Sequence, residues 1–172
     1  MPGFRLVANI ATAAPDRRTV AMFAIPLLRI VVASNRLEMR AARKRGKPYP
    51  PLYESGVVYC REPWSGRIEE FADCGTVYER GWGDCDDLCA FRLAELLEAG
   101  ERPARPCSRH LVSHPKCRAC VPGADIRIYW RGCDRHQAQP KNGCAECRGK
   151  PMHVEVRRAD GSIEDPSRFL GL

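Results

Sequence analysis

The sequence lacks an uninterrupted apolar run long enough to span a membrane. Its most apolar stretch, Val20 to Ala33, is broken by Pro26 and Arg29 and is shorter than the roughly 20 residues that a spanning helix needs. No membrane partner is therefore expected. Arg17 and Arg18 precede the stretch, so a twin-arginine export signal is an alternative, but the helical spacing of its apolar residues favours an amphipathic core helix.

Aromatic residues are few, at 8%, yet hydrophobic residues make up 44% of the 172 positions. This content excludes the disordered and fibrous classes and predicts one globular domain, or one domain carrying a small insertion. Acidic residues are fewer than basic ones, and the formal net charge is +7. The basic residues between Arg40 and Lys47 are interpreted as a solvated helix end, with nucleic-acid contact through this surface as the alternative.

Periodicity and turn residues predict the main elements. Two helices are expected, one from Asp16 to about Ala42 with a bend near Pro26, and one beginning at Cys85. Strands are expected at Phe4–Ile10, Val57–Cys60, Ile126–Trp130 and Met152–Arg157. The second helix is the clearest, because Asp84 is a good N-cap, Asp87 stands three residues further on, and Gly100 can close the last turn.

Ten cysteines are present, and their setting decides how they are interpreted. Without an assigned export segment the chain is expected in the cytoplasm, where clustered cysteines are metal ligands or catalytic thiols more often than disulfides. Cys85 falls in the first turn of a helix, whose positive end favours a thiolate. The carboxylates of Asp84, Asp86 and Asp87 oppose it, so a basic partner is required.

His153 is the candidate partner, because it is the one histidine outside the cysteine-rich part and lies in the strand Met152–Arg157. An acid that orients its imidazole should lie on the next strand, where Asp165 stands. A two-residue turn at Asp160-Gly161 would turn Asp165 away from His153. A three-residue loop from Ala159 to Gly161 places both on one face, so this loop is predicted, with Gly161 in the left-handed conformation.

Four segments together resemble the transglutaminase-like cysteine peptidase superfamily, and within it small bacterial and tailed-phage members. They are Gly-Asp-Cys-Asp-Asp-Leu at 83–88, Pro-Ala-Arg-Pro at 103–106, His-Val-Glu-Val at 153–156 and Asp-Gly-Ser-Ile-Glu-Asp-Pro-Ser at 160–167. The resemblance implies an α+β, papain-like fold in which the cysteine helix packs on an antiparallel sheet. It assigns Cys85 as the nucleophile, His153 as the base and Asp165 as the orienting acid.

The implied function is a cysteine-dependent peptidase or amidase that acts on a protein or peptide. Hydrolysis is favoured over transamidation, because Asp86 stands where the family has an aromatic residue. Some bacterial relatives bind calcium beside the cysteine, and Asp84, Asp86 and Asp87 can do so, although capping is the favoured role. A phage member would work in the host cytoplasm or the virion. The alternative is a non-catalytic virion, assembly or binding protein with phage structural proteins or nucleic acid as partners.

A cysteine-rich insertion carries two near copies of one pattern. The ligands are Cys107, His110, Cys117 and Cys120 in the first run, and Cys133, His136, Cys144 and Cys147 in the second. Eight sulfur and nitrogen ligands in pairs spaced by two residues predict two structural zinc sites. Each run can close its own site, or the pairs can cross between runs; shorter loop closure favours the local wiring.

The resemblance and the cysteine pattern together imply a domain organisation with an interrupted core. Residues 1–106 and 124–172 form the transglutaminase-like core with its N-terminal helix. Residues 107–123 and 132–150 are zinc-binding insertions that flank a strand at 125–131. We expect the insertions to form a lid or shoulder beside the catalytic groove, with a docking surface as the alternative role.

Overall fold

Helices and mainly antiparallel strands make this an α+β protein. The computed structural model describes residues 5–9, 17–61, 68–114, 116–130 and 152–172. In chain order the elements are β1 (Arg5–Asn9), α1 (Arg17–Lys44), a short 3-10 turn (Leu52–Glu54), β2 (Val58–Tyr59), β3 (Ile68–Ala72), α2 (Cys74–Arg80), β4 (Trp82–Gly83), α3 (Cys85–Glu98), β5 (Asp125–Trp130), β6 (Met152–Arg157), β7 (Ile163–Glu164) and α4 (Pro166–Phe169).

The strands form three small sheets. The largest is antiparallel with the order β5-β6-β7, while β1 pairs antiparallel with β3 and β2 pairs parallel with β4. Helix α3 packs on β6, and α1 packs on α3 and β5. The apolar core lies between these elements and includes Leu28, Phe71, Phe91, Val154 and Val156. The cysteine helix thus rests on an antiparallel sheet, as expected.

Helix α3 begins and ends as its sequence predicts. The side chain of Asp84 accepts a hydrogen bond from the backbone N–H of Asp87, at 3.4 Å, and caps the N-terminus. At the other end Gly100 has a φ of +102°, and the N–H of Glu101 donates to the carbonyl of Leu96 at 2.9 Å. A positive φ favours glycine at this position. These contacts fix the ends of the helix that presents Cys85.

Strand β3 and helix α2 are elements that the sequence patterns did not predict. Helix α2 has seven residues, with Asp73 as its N-cap accepting from the N–H of Thr76 at 2.8 Å. A helix this short carries too little periodicity for recognition. The carboxylate of Asp87 joins both elements to α3, since it accepts from the N–H of Ala72 at 2.6 Å and binds the guanidinium of Arg80.

The basic residues at the end of α1 are largely paired within the protein. Glu98 of α3 binds two of them, with nitrogen to oxygen distances of 2.8 Å to Arg40 and 3.7 Å to Arg43, and it also binds Arg36, one turn earlier, at 2.8 Å. Arg45 binds Glu38 at 2.6 Å. These ion pairs agree with the interpretation of the basic residues as the end of a helix. They also reduce the positive charge that is available to a nucleic acid.

Helix α1 is the described helix that is long and apolar enough to cross a membrane, by length and composition alone. The segment from Thr19 to Lys44 meets that criterion, and 39% of its most apolar window is buried in the protein. A core helix of a soluble protein passes the same test. Its inner side carries buried Leu28 and Val31, and Asn35 accepts from the N–H of Cys74 at 2.7 Å.

We predict that Asp87→Asn lowers the free energy of unfolding by about 3 kcal/mol, because a buried ion pair loses one charge. The Asp87 side chain is fully buried and that of Arg80 is 13% exposed. Glu70→Gln is the matched control, since Glu70 lies 3.4 Å from the same guanidinium and is 26% exposed; it should cost below about 1 kcal/mol. Urea unfolding measures both, and equal losses would contradict the role given to Asp87.

Candidate functional site

The β6-β7 hairpin has the predicted three-residue loop. Arg157 pairs with Ile163 and Val156 with Glu164, so the loop comprises residues 159–161 within the closing bond from the N–H of Arg158 to the carbonyl of Ser162. Gly161 has a φ of +89°, as expected. Continuing this register places Asp165 opposite the residue two positions after His153, on the same face of the sheet.

His153 and Asp165 form a direct contact in this arrangement. The distance from His153 Nε2 to Asp165 Oδ2 is 2.9 Å, and the two side chains are 6% and 9% exposed. Asp165 occupies the N-cap position of α4, yet its side chain makes no capping hydrogen bond. The carboxylate instead turns to the imidazole. The edge of the imidazole meets the ring of Tyr129, at 5.2 Å between ring centroids and a 79° angle.

The Asp165 carboxylate is held in its charged form. Burial raises its pKa, but the hydrogen bond and charge of His153, together with the charge of Arg168, outweigh burial and bring the pKa below its ordinary value. Arg168 Nε lies 3.2 Å from the same Oδ2 atom. Sequence reasoning missed Arg168; its spacing of three residues from Asp165 in α4 is the signal that was available.

Helix α3 begins at Cys85 and packs on β6, the strand that carries His153. The thiol of Cys89 donates to the carbonyl of Val154, the residue after His153, at 3.2 Å. Because residues four apart share a helix face, Cys85 faces the sheet one turn earlier. Burial raises the pKa of the Cys89 thiol well above its usual value, and the neighbouring groups Cys85 and Asp165 raise it further. Cys89 is a core residue, as predicted.

The three acidic residues around Cys85 differ in their hydrogen-bond and ion-pair partners. Asp84 caps the helix and Asp87 is bound to Arg80, whereas neither carboxylate oxygen of Asp86 has a hydrogen-bond partner among the described residues. Burial raises the pKa of Asp86 well above its usual value, and the charge of Asp84 adds to the shift. The three groups lie within 4.8 Å of one another and can in principle hold an ion. Capping and ion pairing already occupy two of them.

The first cysteine-rich run gathers its own four ligand atoms. The Sγ and Nδ1 atoms of Cys107, His110, Cys117 and Cys120 all lie within 4.8 Å of one another. His110 Nδ1 is 3.1 Å from the Cys107 sulfur and 3.4 Å from that of Cys120, and the Cys107 and Cys117 sulfurs are 3.9 Å apart. Tetrahedral zinc with ordinary bond lengths places such atoms about 3.6 to 3.8 Å apart.

The backbone around this cluster favours a thiolate. The N–H groups of His114 and Cys107 donate to the sulfur of Cys120 and lower the pKa of that thiol to about 6. The donor to acceptor distance from Cys107 N is 3.4 Å. The group can therefore hold a metal ion, and its local arrangement agrees with the wiring in which each run closes its own site. His114 is exposed and stacks on the ring of His110 at 5.2 Å.

The cluster lies toward the end of β5 that is farther from His153. The N–H of Ser113 donates to Asp125, which pairs with Arg157, whereas Tyr129 pairs with His153. Four residues of strand separate these positions by about 13 Å. The first run therefore does not fit the predicted lid beside His153. The prediction of a lid then applies to the second run, Cys133, His136, Cys144 and Cys147. That run connects β5 to β6 beside His153 in the sequence and lies outside the described residues.

Comparison with family models, with curated proteins and with solved structures finds no match to this chain. The assignment of the site therefore rests on the geometry of its own residues.

We predict that the His153–Asp165 contact makes folding pH-dependent in the acid range. A carboxylate whose pKa is lowered by folding adds stability above its unfolded pKa, near about 4, and this contribution disappears as the pH falls through the folded pKa. The stability difference between the unaltered chain and Asp165→Asn should therefore shrink as the pH is lowered below about 4. Urea unfolding across this range measures it, and parallel curves for both chains would contradict the contact.

Proposed function

We propose that this protein is a cysteine-dependent hydrolase of the transglutaminase-like, papain-like type. Cys85 is the nucleophile, His153 the base and Asp165 the acid that orients the imidazole. The substrate class is a protein or peptide whose peptide or amide carbonyl is attacked. The observation that carries the proposal is the contact of 2.9 Å between His153 Nε2 and Asp165 Oδ2.

This contact selects a reactive tautomer of His153. A carboxylate can only accept a hydrogen bond, and the pKa of Asp165 is lowered, so the proton of the neutral imidazole belongs on Nε2. The lone pair then lies on Nδ1, which can take the proton of a thiol.

The surroundings of Cys85 support a thiolate. The sulfur is half-buried at the positive end of a fourteen-residue helix, which lowers the pKa of a thiol. The sequence alone suggested three opposing negative charges. In the structure Asp87 is compensated by Arg80 and burial favours the neutral form of Asp86, so much of that opposition is removed.

The reaction follows from these roles. His153 Nδ1 accepts the proton of Cys85 Sγ, and the sulfur forms a bond to the substrate carbonyl carbon. His153 then donates the proton to the leaving amine as the carbon–nitrogen bond breaks, which leaves an acyl-enzyme. Water, deprotonated by the same imidazole, releases the carboxylic acid and the free thiol. The backbone N–H of Cys85 is the natural first donor to the oxyanion.

We further propose that Cys107, His110, Cys117 and Cys120 hold a structural zinc ion. The ion would fix a segment that has few large apolar residues of its own. It takes no part in the reaction, since the cluster lies toward the far end of β5 from His153. The second run, Cys133 to Cys147, supplies the same ligand types for a second ion.

We predict that, in the zinc-loaded protein, iodoacetamide alkylates Cys85 about ten-fold faster than the exposed Cys60, because the proposed base His153 takes the proton of its thiol. His153→Ala should remove this excess and Asp165→Asn should reduce it. Peptide mapping by mass spectrometry measures each site. Cys85→Ala is the control for assignment, and it should abolish the fast phase and any release of amine from a peptide substrate.

Equal reactivity of Cys85 and Cys60, unchanged by His153→Ala, would overturn the enzymatic proposal. Retention of the protein by a nucleic acid or a partner protein, unaffected by Cys85→Ala, would then favour the binding role instead.

We predict that Cys117→Ser lowers the zinc content by one ion per chain from a starting content of about two. The reason is that zinc needs four ligands and serine is a poor replacement for a thiolate. Cys60→Ser is the matched control and should leave the content unchanged. Atomic emission on the purified chain measures both, and an unchanged content in Cys117→Ser would contradict the assigned ligand set.

A further inference from the structure

The outward side of α1 carries a continuous apolar surface. We define the outer face of α1 by the exposed residues Met22, Phe23, Pro26, Ile30, Ala33 and Leu37. Its large side chains are 52% exposed at Met22, 63% at Phe23, 52% at Ile30 and 66% at Leu37. At the rise of an α-helix the face is about 22 Å long. An apolar patch of this kind on one element indicates a contact surface.

The charged side chains along this stretch do not interrupt the face. Arg29 binds Asp125 at 3.0 Å and Arg36 binds Glu98 at 2.8 Å, so both turn toward the body of the protein. Glu38, the one acidic residue of α1, is 17% exposed and binds Arg45 at 2.6 Å. The outer face therefore presents no uncompensated negative charge to a partner.

Basic residues stand at both ends of α1 in the sequence. The helix begins with Arg17 and Arg18, has no acidic residue in its first turn, and ends with Arg43, which binds Glu98 at 3.7 Å, and with the exposed Lys44. Lys47 follows and is exposed. The pattern is an apolar centre between two basic ends, which is the combination that binds the interface of an anionic bilayer.

A second copy of this chain fits the face less well. In an antiparallel pair of α1 helices the two arginines of the first turn would meet Arg43 and Lys44 of the other copy, and in a parallel pair each basic end would meet itself. Two chains of net charge +7 add to this repulsion. A negatively charged surface complements both ends at once.

The helix is held parallel to such a surface rather than across it. Its inner side is part of the core through Leu28 and Val31, and Asn35 is hydrogen-bonded to Cys74. Crossing a bilayer would require these contacts to break. A surface helix needs no spanning segment, so the absence of an uninterrupted apolar run does not bear on this mode of binding.

We propose that the outer face of α1 docks flat on an anionic phospholipid surface, with Phe23, Ile30 and Leu37 entering the interface and the exposed Lys44 and Lys47 contacting lipid phosphates. The docking surface is formed by side chains of α1 and does not depend on the chemistry proposed for Cys85. It would hold the protein at a membrane while the sheet and its site remain in water.

Co-sedimentation of the full zinc-loaded chain with vesicles tests the proposal. We expect binding to vesicles of equal parts phosphatidylglycerol and phosphatidylcholine, weakened by added salt, and little binding to phosphatidylcholine alone. Leu37→Glu and Ile30→Glu should each lower the partition coefficient about ten-fold or more, because each removes apolar burial and adds a repelled charge. Glutamate is a good helix former, so α1 should persist.

The matched control is Leu172→Glu, which adds the same charge at a leucine that is 47% exposed at the C-terminus; it should bind as the unaltered chain does. Absence of binding to anionic vesicles, or equal binding by Leu37→Glu, would overturn the proposal. So would a dimer in sedimentation velocity that Leu37→Glu dissociates, since the face would then join two copies. Fast alkylation of Cys85 in Leu37→Glu would show that the proposed catalytic site is intact in either case.

Discussion

The hydrogen bond between His153 and Asp165 is the interaction on which the functional account depends. It exists because a three-residue loop sets the register of β6 and β7, with Gly161 at a φ of +89°. A loop shorter by one residue would turn every side chain of β7 and the start of α4 to the opposite face. One backbone conformation at the turn therefore decides whether an acid and a base can meet at 2.9 Å.

A second set of contacts fixes helix α3, which begins at Cys85, against β6. Helix α3 is fixed at its start by Asp84 and Asp87 and is packed on β6 through Cys89 and Val154. The same residues settle the local electrostatics. The negative charge of Asp87 is balanced by Arg80 in an ion pair, and burial favours the neutral form of Asp86. Folding thus removes part of the negative charge that the sequence places beside the thiol. The neighbouring residues in the sequence do not reveal this effect by themselves.

Local signals predicted the parts of the fold that local physics controls. The cap of α3, the glycine after its end and the loop of the hairpin each depend on a few adjacent residues with strong conformational preferences. Strand β3, helix α2 and the binding of three arginines by Glu98 depend on contacts between distant segments, and no local pattern encodes them. Arg168 is intermediate, because its spacing of three residues from Asp165 is a local signal, whereas its effect on the site depends on the orientation of the Asp165 carboxylate.

The metal cluster and the outer face of α1 add two features to this centre. The four ligands from Cys107 to Cys120 lie within 4.8 Å of one another at the far end of β5, where an ion can replace the core that this segment lacks. The apolar face lies on the helix that covers α3 and β5. Each feature is built on a different part of the fold, so each can be altered without removing the acid–base pair.

The most direct test of the central claim is a bridging reaction between the thiol and the imidazole. Dibromoacetone carries two reactive carbons separated by one carbonyl, so it can join only side chains that lie close together. We predict a single bridged product between Cys85 and His153, identified by peptide mapping and absent from His153→Ala. Alkylation of Cys85 without a bridge, or a bridge from Cys85 to another side chain, would contradict the proposed site.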